Sequence, residues 1–292
     1  MTEVTAFSPF AATKQMVVGQ AKTCRLSAEL RDALAVVILT KNEIDNIARC
    51  IEHIPDGLNI TVVDCGSTDG TQAAARAIGA HVIETHWRGF AGQRNFAMSQ
   101  LPETVSWVVF IDADEIFPPE FWASLDLAKM TDDGVDVYLV DQRLYLNTQK
   151  LRFAPGYPFY HPRLVRKGPH IFVPGPAGHD ERPAPGLNIG KIDTPYLHDW
   201  HSGALTAWMD KHRVLAATRV AALKQPEHGQ GNRRGKLGRA IPLGFWTPPL
   251  RFLYHYILRL GFLDGRAGLQ YSLMMAWYEM TCYLLKVSSD DS

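Results

Sequence analysis

Three short apolar runs, each closed by a carboxylate or a polar cluster, constrain this chain more than any other feature. Ala35–Leu39 reads AVVIL and is followed by Thr40, Lys41, Asn42 and Glu43. Asn59–Val63 reads NITVV and ends in Asp64. Trp107–Ile111 reads WVVFI and runs directly into Asp112-Ala113-Asp114-Glu115. Continuous β-branched runs without polar alternation are what strands buried on both faces of a parallel sheet require. Helical spacing fills the gaps, with Ile47, Cys50, Ile51 and Ile54 after the first run and an Ala-rich stretch, Thr71 to Ile78, after the second. Ala80–Glu84 reads as a further strand and Phe90–Ser99 as a further helix. This βαβαβ alternation predicts an α/β domain of Rossmann-like character: a mostly parallel central sheet flanked by helices. Ligands of such sheets bind beyond the carboxyl ends of the strands. Three polar strand ends on one edge therefore predict a site.

The remainder has a different texture. Residues 135–192 hold strand-like stretches at Asp136–Asp141 and Arg163–Arg166, separated by FAPGYPFYHP and FVPGPAGHDERPAPG. That Pro/Gly density predicts loops and an antiparallel extension of the sheet. From Ser202 the pattern turns helical, with Leu205, Trp208, Met209, His212, Leu215 and Ala216 on a 3.6 period. A loop with Arg233, Arg234, Lys236 and Arg239 follows, then helices over Leu250–Gly261 and Gly268–Val287. The expected organisation is an N-terminal extension (1–33), a catalytic domain (34–200) and a C-terminal helical region (201–292) that associates with a membrane. Met1 to Leu34 holds no long apolar stretch of the signal-peptide kind, and residues 1–30 read as a loosely ordered extension with at most one short helix.

Charge supports the division. The 292 residues carry 30 basic and 30 acidic side chains, which argues against a broadly basic nucleic-acid binder. Residues 1–200, however, hold 18 basic and 24 acidic groups, and residues 201–292 hold 12 and 6. A basic final third suits an anionic membrane surface, or is a solvated face. Cys24, Cys50, Cys65 and Cys282 form no CxxC pair, so neither a zinc site nor a disulfide framework is expected.

Two motifs carry chemistry. Asp112 and Asp114, at alternate positions past a buried strand, can share one hard cation such as Mg²⁺ or Mn²⁺. Such a cation would stabilise charge on a departing diphosphate. Asp64, followed by Cys65-Gly66-Ser67-Thr68-Asp69-Gly70-Thr71, can accept hydrogen bonds from a base or ribose. The turn after it can cap the next helix. No GxGxxG follows Leu39, which disfavours a dinucleotide oxidoreductase. A nucleotidyltransferase would want a Gly-rich loop there, and Thr40-Lys41-Asn42-Glu43 has no glycine.

VVILTKNEIDNIARCI, VVDCGSTDGT, GFAGQRNFA and FIDADE, in that order, resemble the successive motifs of the family 2 inverting glycosyltransferases, which have the GT-A fold. RFLYHYILRLGFLDGRAGLQYSLMMAWY is similar to the C-terminal segment of the branch containing lipopolysaccharide core β-1,4-glucosyltransferases. The resemblance implies a nucleotide-sugar donor, a divalent metal and a glycolipid or lipid-linked acceptor. It implies Thr40, Asn42 and Glu43 along the nucleotide, Asp64 at the base (uracil foremost) and Arg94 near the diphosphate. It puts Asp112 at the ribose or at metal-bound water, and Asp114 on the metal. An inverting transfer needs a base for the acceptor hydroxyl. The family pattern points to Gly178-His179-Asp180-Glu181-Arg182, where Asp180 and Glu181 are two acids in place of one. His179, His198 and His201 are ligands or ordinary loop residues. Arg163 and Arg166 hold phosphate or pair with acids on neighbouring strands.

On the Leu250 helix, Arg251, His255 and Arg259 recur every four residues as a basic stripe among apolar neighbours, the pattern of an interfacial helix. The reading is an enzyme peripheral to the cytoplasmic face of an inner membrane. Its alternative is a membrane-associated scaffold that binds nucleotide sugar without catalysis, or helices simply packed on the domain.

Overall fold

The computed structural model describes residues 24–147, 149–175, 181–201, 204–223 and 244–290. Most of the N-terminal extension, His179, Asp180 and the loop with Arg233, Arg234, Lys236 and Arg239 lie outside them.

The chain divides into two units. The first comprises residues up to 148, 158–173 and 181–200; the second comprises 149–157, 174–180 and 201–292.

In the first unit a short helix, Ala28–Ala33 (α1), leads into Leu34–Thr40 (β1). Ile44–Glu52 (α2), Asn59–Asp64 (β2), Thr71–Ala77 (α3), His81–Glu84 (β3), Phe90–Ser99 (α4) and Trp107–Asp112 (β4) follow. β1 pairs in parallel with both β2 and β4, and β2 in parallel with β3. Side-chain alternation along the central strands supplies two cores. Leu34, Val36 and Ile38 of β1 join Trp107, Val109 and Ile111 of β4 on one face, where α2 contributes Ile47, Cys50 and Ile51. Ala35 and Val37 join Val108 and Phe110 on the other, with Ala97 and Met98 of α4. Both faces are covered, so no position along these strands tolerates a polar residue until the strand ends.

The sheet is mixed. Beyond β4 comes Tyr160–Arg166 (β8), antiparallel to it, and then Val137–Leu146 (β6), antiparallel to β8. With Glu115–Ile116 (β5) and Ile189–His201 (β11), the strand order is β3-β2-β1-β4-β8-β6-β11-β5. The antiparallel extension is longer than the sequence pattern indicates: β6 runs to Leu146, and β8 begins inside the Pro-rich stretch at Tyr160. Pro162 is accommodated beside a register shift at Tyr138/Leu139. Phe172–Pro174 (β9) and Glu181–Pro183 (β10) form a small separate sheet. Two short helices, Pro119–Ala123 (α5) and Leu127–Asp132 (α6), complete this unit.

The second unit holds Gln149–Lys150 (β7) and the helices Leu205–Leu223 (α7), Thr247–Leu253 (α8) and Gly265–Asp290 (α9). Residues 149–157 belong with these helices because Asp264, 2% exposed, accepts the backbone N–H groups of Arg152, Phe153 and Ala154 at 2.8–2.9 Å.

The expected helix Leu250–Gly261 is not continuous. After α8 it becomes a π-helical turn, Tyr254–Leu258, and stops at Leu260, whose φ of 58° is left-handed. Gly261 packs so closely on the His255 carbonyl that a Cβ would lie 2.5 Å from that oxygen. The basic stripe also points the other way from the interfacial pattern. Arg251 donates to Glu279 at 2.6 Å, buried His255 bonds the Ala154 carbonyl at 2.8 Å, and Arg259 reaches the Tyr157 carbonyl at 3.4 Å. A carboxylate on α9 that is 1% exposed needs cations. Glu279 takes two, Arg251 and Arg219. The outward residues are instead Leu253, Ile257 and Leu258, the last 75% exposed. Among the described residues no helix is long and apolar enough to cross a membrane.

Candidate active site

The parallel register brings the polar strand ends together. Thr40 stands beside Asp64, and Leu39 beside Asp112. At this edge the two loops after β1 and β2 are laced to each other. Asn42, at a left-handed φ of 57°, donates its N–H to Ser67 Oγ at 2.7 Å and accepts from the Thr68 N–H at 2.8 Å. The Glu43 N–H reaches Thr71 Oγ1 at 2.9 Å, and the Ile44 N–H reaches Asp69 Oδ2 at 3.1 Å. Asn tolerates the left-handed region and its amide oxygen bonds nearby backbone, which explains that residue at that position. Gly70, at a φ of 95°, makes the turn into α3.

Asp64 organises this arrangement. It is fully buried and accepts from Gly66 N–H (3.0 Å), Ser67 N–H (2.9 Å), Gln72 Nε2 (2.8 Å), Thr40 Oγ1 (3.0 Å) and the Ser67 hydroxyl. Burial opposes its charge, but these donors outweigh it and hold the carboxyl below the usual aspartate range. A freely presented base-reading carboxylate is therefore not what the fold displays. Both oxygens are engaged by the chain itself, because the tight turn after β2 folds its own N–H groups back onto them.

Past β4 lies an ion cluster. Asp112 takes Arg94 Nη2 on one oxygen at 3.2 Å and Arg163 Nη2 on the other at 2.8 Å, while its side chain stays 37% exposed. Burial works against its charge and the two guanidinium groups overcome it, Arg163 more than Arg94, so the carboxyl lies below its normal range. Arg163 also binds Glu115, which accepts the Asp112 N–H at 3.0 Å. Glu115 is 1% exposed, and burial pushes its carboxyl up to about 7 against the pull of Arg163. Arg94 donates through Nε to Glu181 at 2.8 Å. Its remaining Nη1 is buried and, among the described residues, has no hydrogen-bond partner; nor have Arg163 Nε and Nη1, the latter 4.0 Å from Glu181. Asp114 faces His198 Nε2 at 3.4 Å, while His198 Nδ1 bonds Gln142 at 3.0 Å. Burial disfavours the charged ring, yet Asp114 raises its basicity above the ordinary histidine value.

Thr40, Asn42, Glu43, Asp64, Arg94, Asp112, Asp114 and Glu181 thus all lie in one unit. Glu181 is Arg94's partner and is 7% exposed. Asp180 lies outside the described residues. Arg163 proves to be a pair of acids' partner, one of its two expected roles. Glu115 and the Arg49–Asp199 pair at 3.2 Å carried no local signal: a third acid after DxD resembles any turn residue until its burial is known.

A parallel sheet with acidic residues past the carboxyl ends of its strands is the setting in which α/β domains bind their ligands. Residues 35–176 match the family model described as glycosyl transferase family 2, so this stretch of the chain is a glycosyltransferase family 2 domain. Over 263 residues it is 28% identical to a lipopolysaccharide core biosynthesis glycosyltransferase of Rhizobium meliloti, covering 83% of this chain and 90% of that protein. An uncharacterized glycosyltransferase of Rickettsia prowazekii is 38% identical over 128 residues, which are 42% of this chain and 43% of that protein. The chain thus matches less than half the length of this rickettsial relative. Among solved structures, a mannosyltransferase of Pyrobaculum calidifontis in complex with GDP-Man and Mn²⁺ superposes with a TM-score of 0.53 at 16% identity, covering 96% of this chain and 94% of that one. That likeness establishes the GT-A fold.

Proposed function

We propose that the domain moves a hexose from a nucleoside diphosphate, UDP foremost, to a hydroxyl of a lipid-linked or lipopolysaccharide acceptor, with inversion and with a divalent cation. The observation that carries this reading is the ion cluster at the strand ends. It sets a part-exposed pair of carboxylates, Asp112 and Asp114, beside a buried arginine, Arg94, whose Nη1 has no hydrogen-bond partner among the described residues. Buried guanidinium donors without partners are costly, and a diphosphate oxygen would satisfy Arg94 Nη1.

The residues fit a cation that arrives with its substrate. Among the described residues no group of three or more His, Cys, Asp or Glu side chains could hold a metal by itself. Mg²⁺ and Mn²⁺ commonly use one or two carboxylates and complete their shell with substrate phosphates and water. Asp114 would hold the ion directly. Asp112, with each oxygen on a guanidinium, would act through bound water or the ribose. When bound, the cation would neutralise charge on the departing diphosphate. Thr40, Asn42 and Glu43 would shape the nucleotide side of the cleft through the laced loops. Asp64 would hold the loop on which the base rests.

For the base that takes the acceptor proton, Asp180 is preferred to Glu181, whose carboxylate holds Arg94. The lipopolysaccharide acceptor rests on the Rhizobium relative. A position against the cytoplasmic face of the membrane rests on the outward apolar residues of the second unit. The decisive experiment measures UDP release across a panel of UDP-sugars with Mn²⁺ and with EDTA, in wild type and Asp114→Asn. Expected is metal-dependent release that the variant loses by about a hundredfold or more. Equal release without metal would overturn the reading.

A further inference from the structure

The second unit contains a cleft unconnected with donor chemistry. It lies between α7 and α9 and has a volume of about 320 Å³. Leu205, Trp208 and Met209 form one wall, and Leu273, Met274 and Trp277 the other. Its lining is almost wholly apolar, and both Leu205 and Leu273 are about half exposed, so the cleft opens outward. An apolar cavity half this size remains dry and takes hydrocarbon. Exposed apolar surface of this kind marks a binding or membrane surface.

Two further observations specify the occupant. Arg266, on the first turn of α9, lines the cleft and is exposed, and among the described residues it makes no ion pair or hydrogen bond. The turn just before it presents Leu260, Phe262 and Leu263 to the outside, each 44–54% exposed. A free cation between an apolar cleft and an outward apolar turn matches the boundary between acyl chains and anionic headgroups.

We propose that this cleft binds one acyl chain of an anionic bilayer phospholipid, with its phosphate on Arg266. The proposal rests on the membrane placement given under Proposed function and sharpens it. Attachment would occur by a single lipid drawn into the protein as well as by surface charge.

The test titrates the full chain with dodecyl phosphate, below the concentration at which it aggregates, by calorimetry. One molecule should bind per chain. Arg266→Gln should weaken binding about tenfold, because a charge-assisted bond is lost. Leu273→Asp should abolish it, and the substitution falls at an exposed position, with circular dichroism and thermal melting checking its fold. Leu205→Asp, on the opposite wall, should do the same. Inorganic phosphate should not compete, since the chain provides the driving force. Flotation with phosphatidylglycerol vesicles should fall in all three variants, and phosphatidylcholine vesicles should bind wild type more weakly.

Absence of saturable dodecyl phosphate binding, or binding indifferent to both aspartate variants, overturns the proposal. So does a wild-type dimer that Leu273→Asp dissociates without changing dodecyl phosphate binding, for then the cleft face serves a second copy. Unchanged vesicle flotation with a raised KM for a lipid acceptor assigns the cleft to the acceptor and also overturns it. UDP binding with Mn²⁺ is measured on the same wild-type preparation. Loss of lipid binding alone sinks the cleft, and loss of UDP binding alone sinks the donor reading.

Discussion

Arg94 Nε lies 2.8 Å from Glu181 Oε1, although the two residues are 87 positions apart in the chain. The guanidinium is 2% exposed and shares its remaining reach with Asp112. The contact makes Glu181 the counter-charge that holds Arg94. Under the proposed function, the acceptor proton falls to its neighbour Asp180.

The two acids should therefore separate in kinetics. Glu181→Gln keeps the acceptor oxygen for Arg94 but removes its charge. UDP affinity should change by less than about tenfold, with sugar transfer reduced in proportion. Asp180→Asn should leave UDP binding intact and lower kcat by about a hundredfold or more. Calorimetry with UDP and Mn²⁺, set beside initial rates of transfer, checks both. Equal kcat losses in the two variants, at unchanged UDP affinity, would count against this division.

Asp64 should prove a stability residue. Asp64→Asn turns an acceptor-only group into one that presents an N–H₂ face to the Gly66, Ser67, Gln72 and Thr40 donors. We expect a loss of roughly 2 kcal/mol in urea unfolding. The sign of the pH effect follows. The carboxyl is depressed in the folded protein, so its contribution is present above the unfolded pKa and fades as pH falls through the folded one.

His255 gives the same direction of pH dependence from another cause. It is 4% exposed, Nδ1 donates to the Ala154 carbonyl, and Nε2 has no hydrogen-bond partner among the described residues. Burial pushes it down from 6.5 to about 4. The unfolded chain takes the proton first as pH drops, so stability present above 6.5 is lost between 6.5 and about 4. The loss is roughly 3 kcal/mol. His255→Asn retains a donor for Ala154 and cannot titrate. Chemical denaturation of both proteins from neutral pH down to pH 4 should show a difference that grows as the pH falls.

Glu279 is the counter-charge for Arg251 and Arg219 within the second unit. Glu279→Gln leaves two part-buried guanidinium groups facing a neutral amide and should cost about 3 kcal/mol. Glu279→Met with Arg251→Met should recover much of that loss, since a buried pair is often no better than apolar packing. Thermal unfolding of single and double variants measures the coupling.

The division between what was legible in the chain and what was not follows the range of the interactions. Parallel strands β1, β2 and β4 are readable from AVVIL, NITVV and WVVFI because burial on both faces removes polar residues locally, whatever the neighbours are. The polar strand ends are readable for the same reason: Thr40, Asp64 and Asp112 appear where the burial ceases. The choice of partner is different, because it depends on residues far along the chain. Four of the five donors to Asp64 come from the turn and helix just after it, but nothing near it in sequence says that Thr40 will join them. Nothing near Glu181 names Arg94. A stripe of Arg251, His255 and Arg259 has one spacing whether it faces lipid or a buried Glu279, and only packing decides which. The sequence by itself determined the sheet, its carboxyl edge and the acids upon it, through burial alone. The tertiary structure decided which of those acids are held by arginines and which way the cations of the last helices turn, because buried charges must find counter-charges wherever the fold brings them.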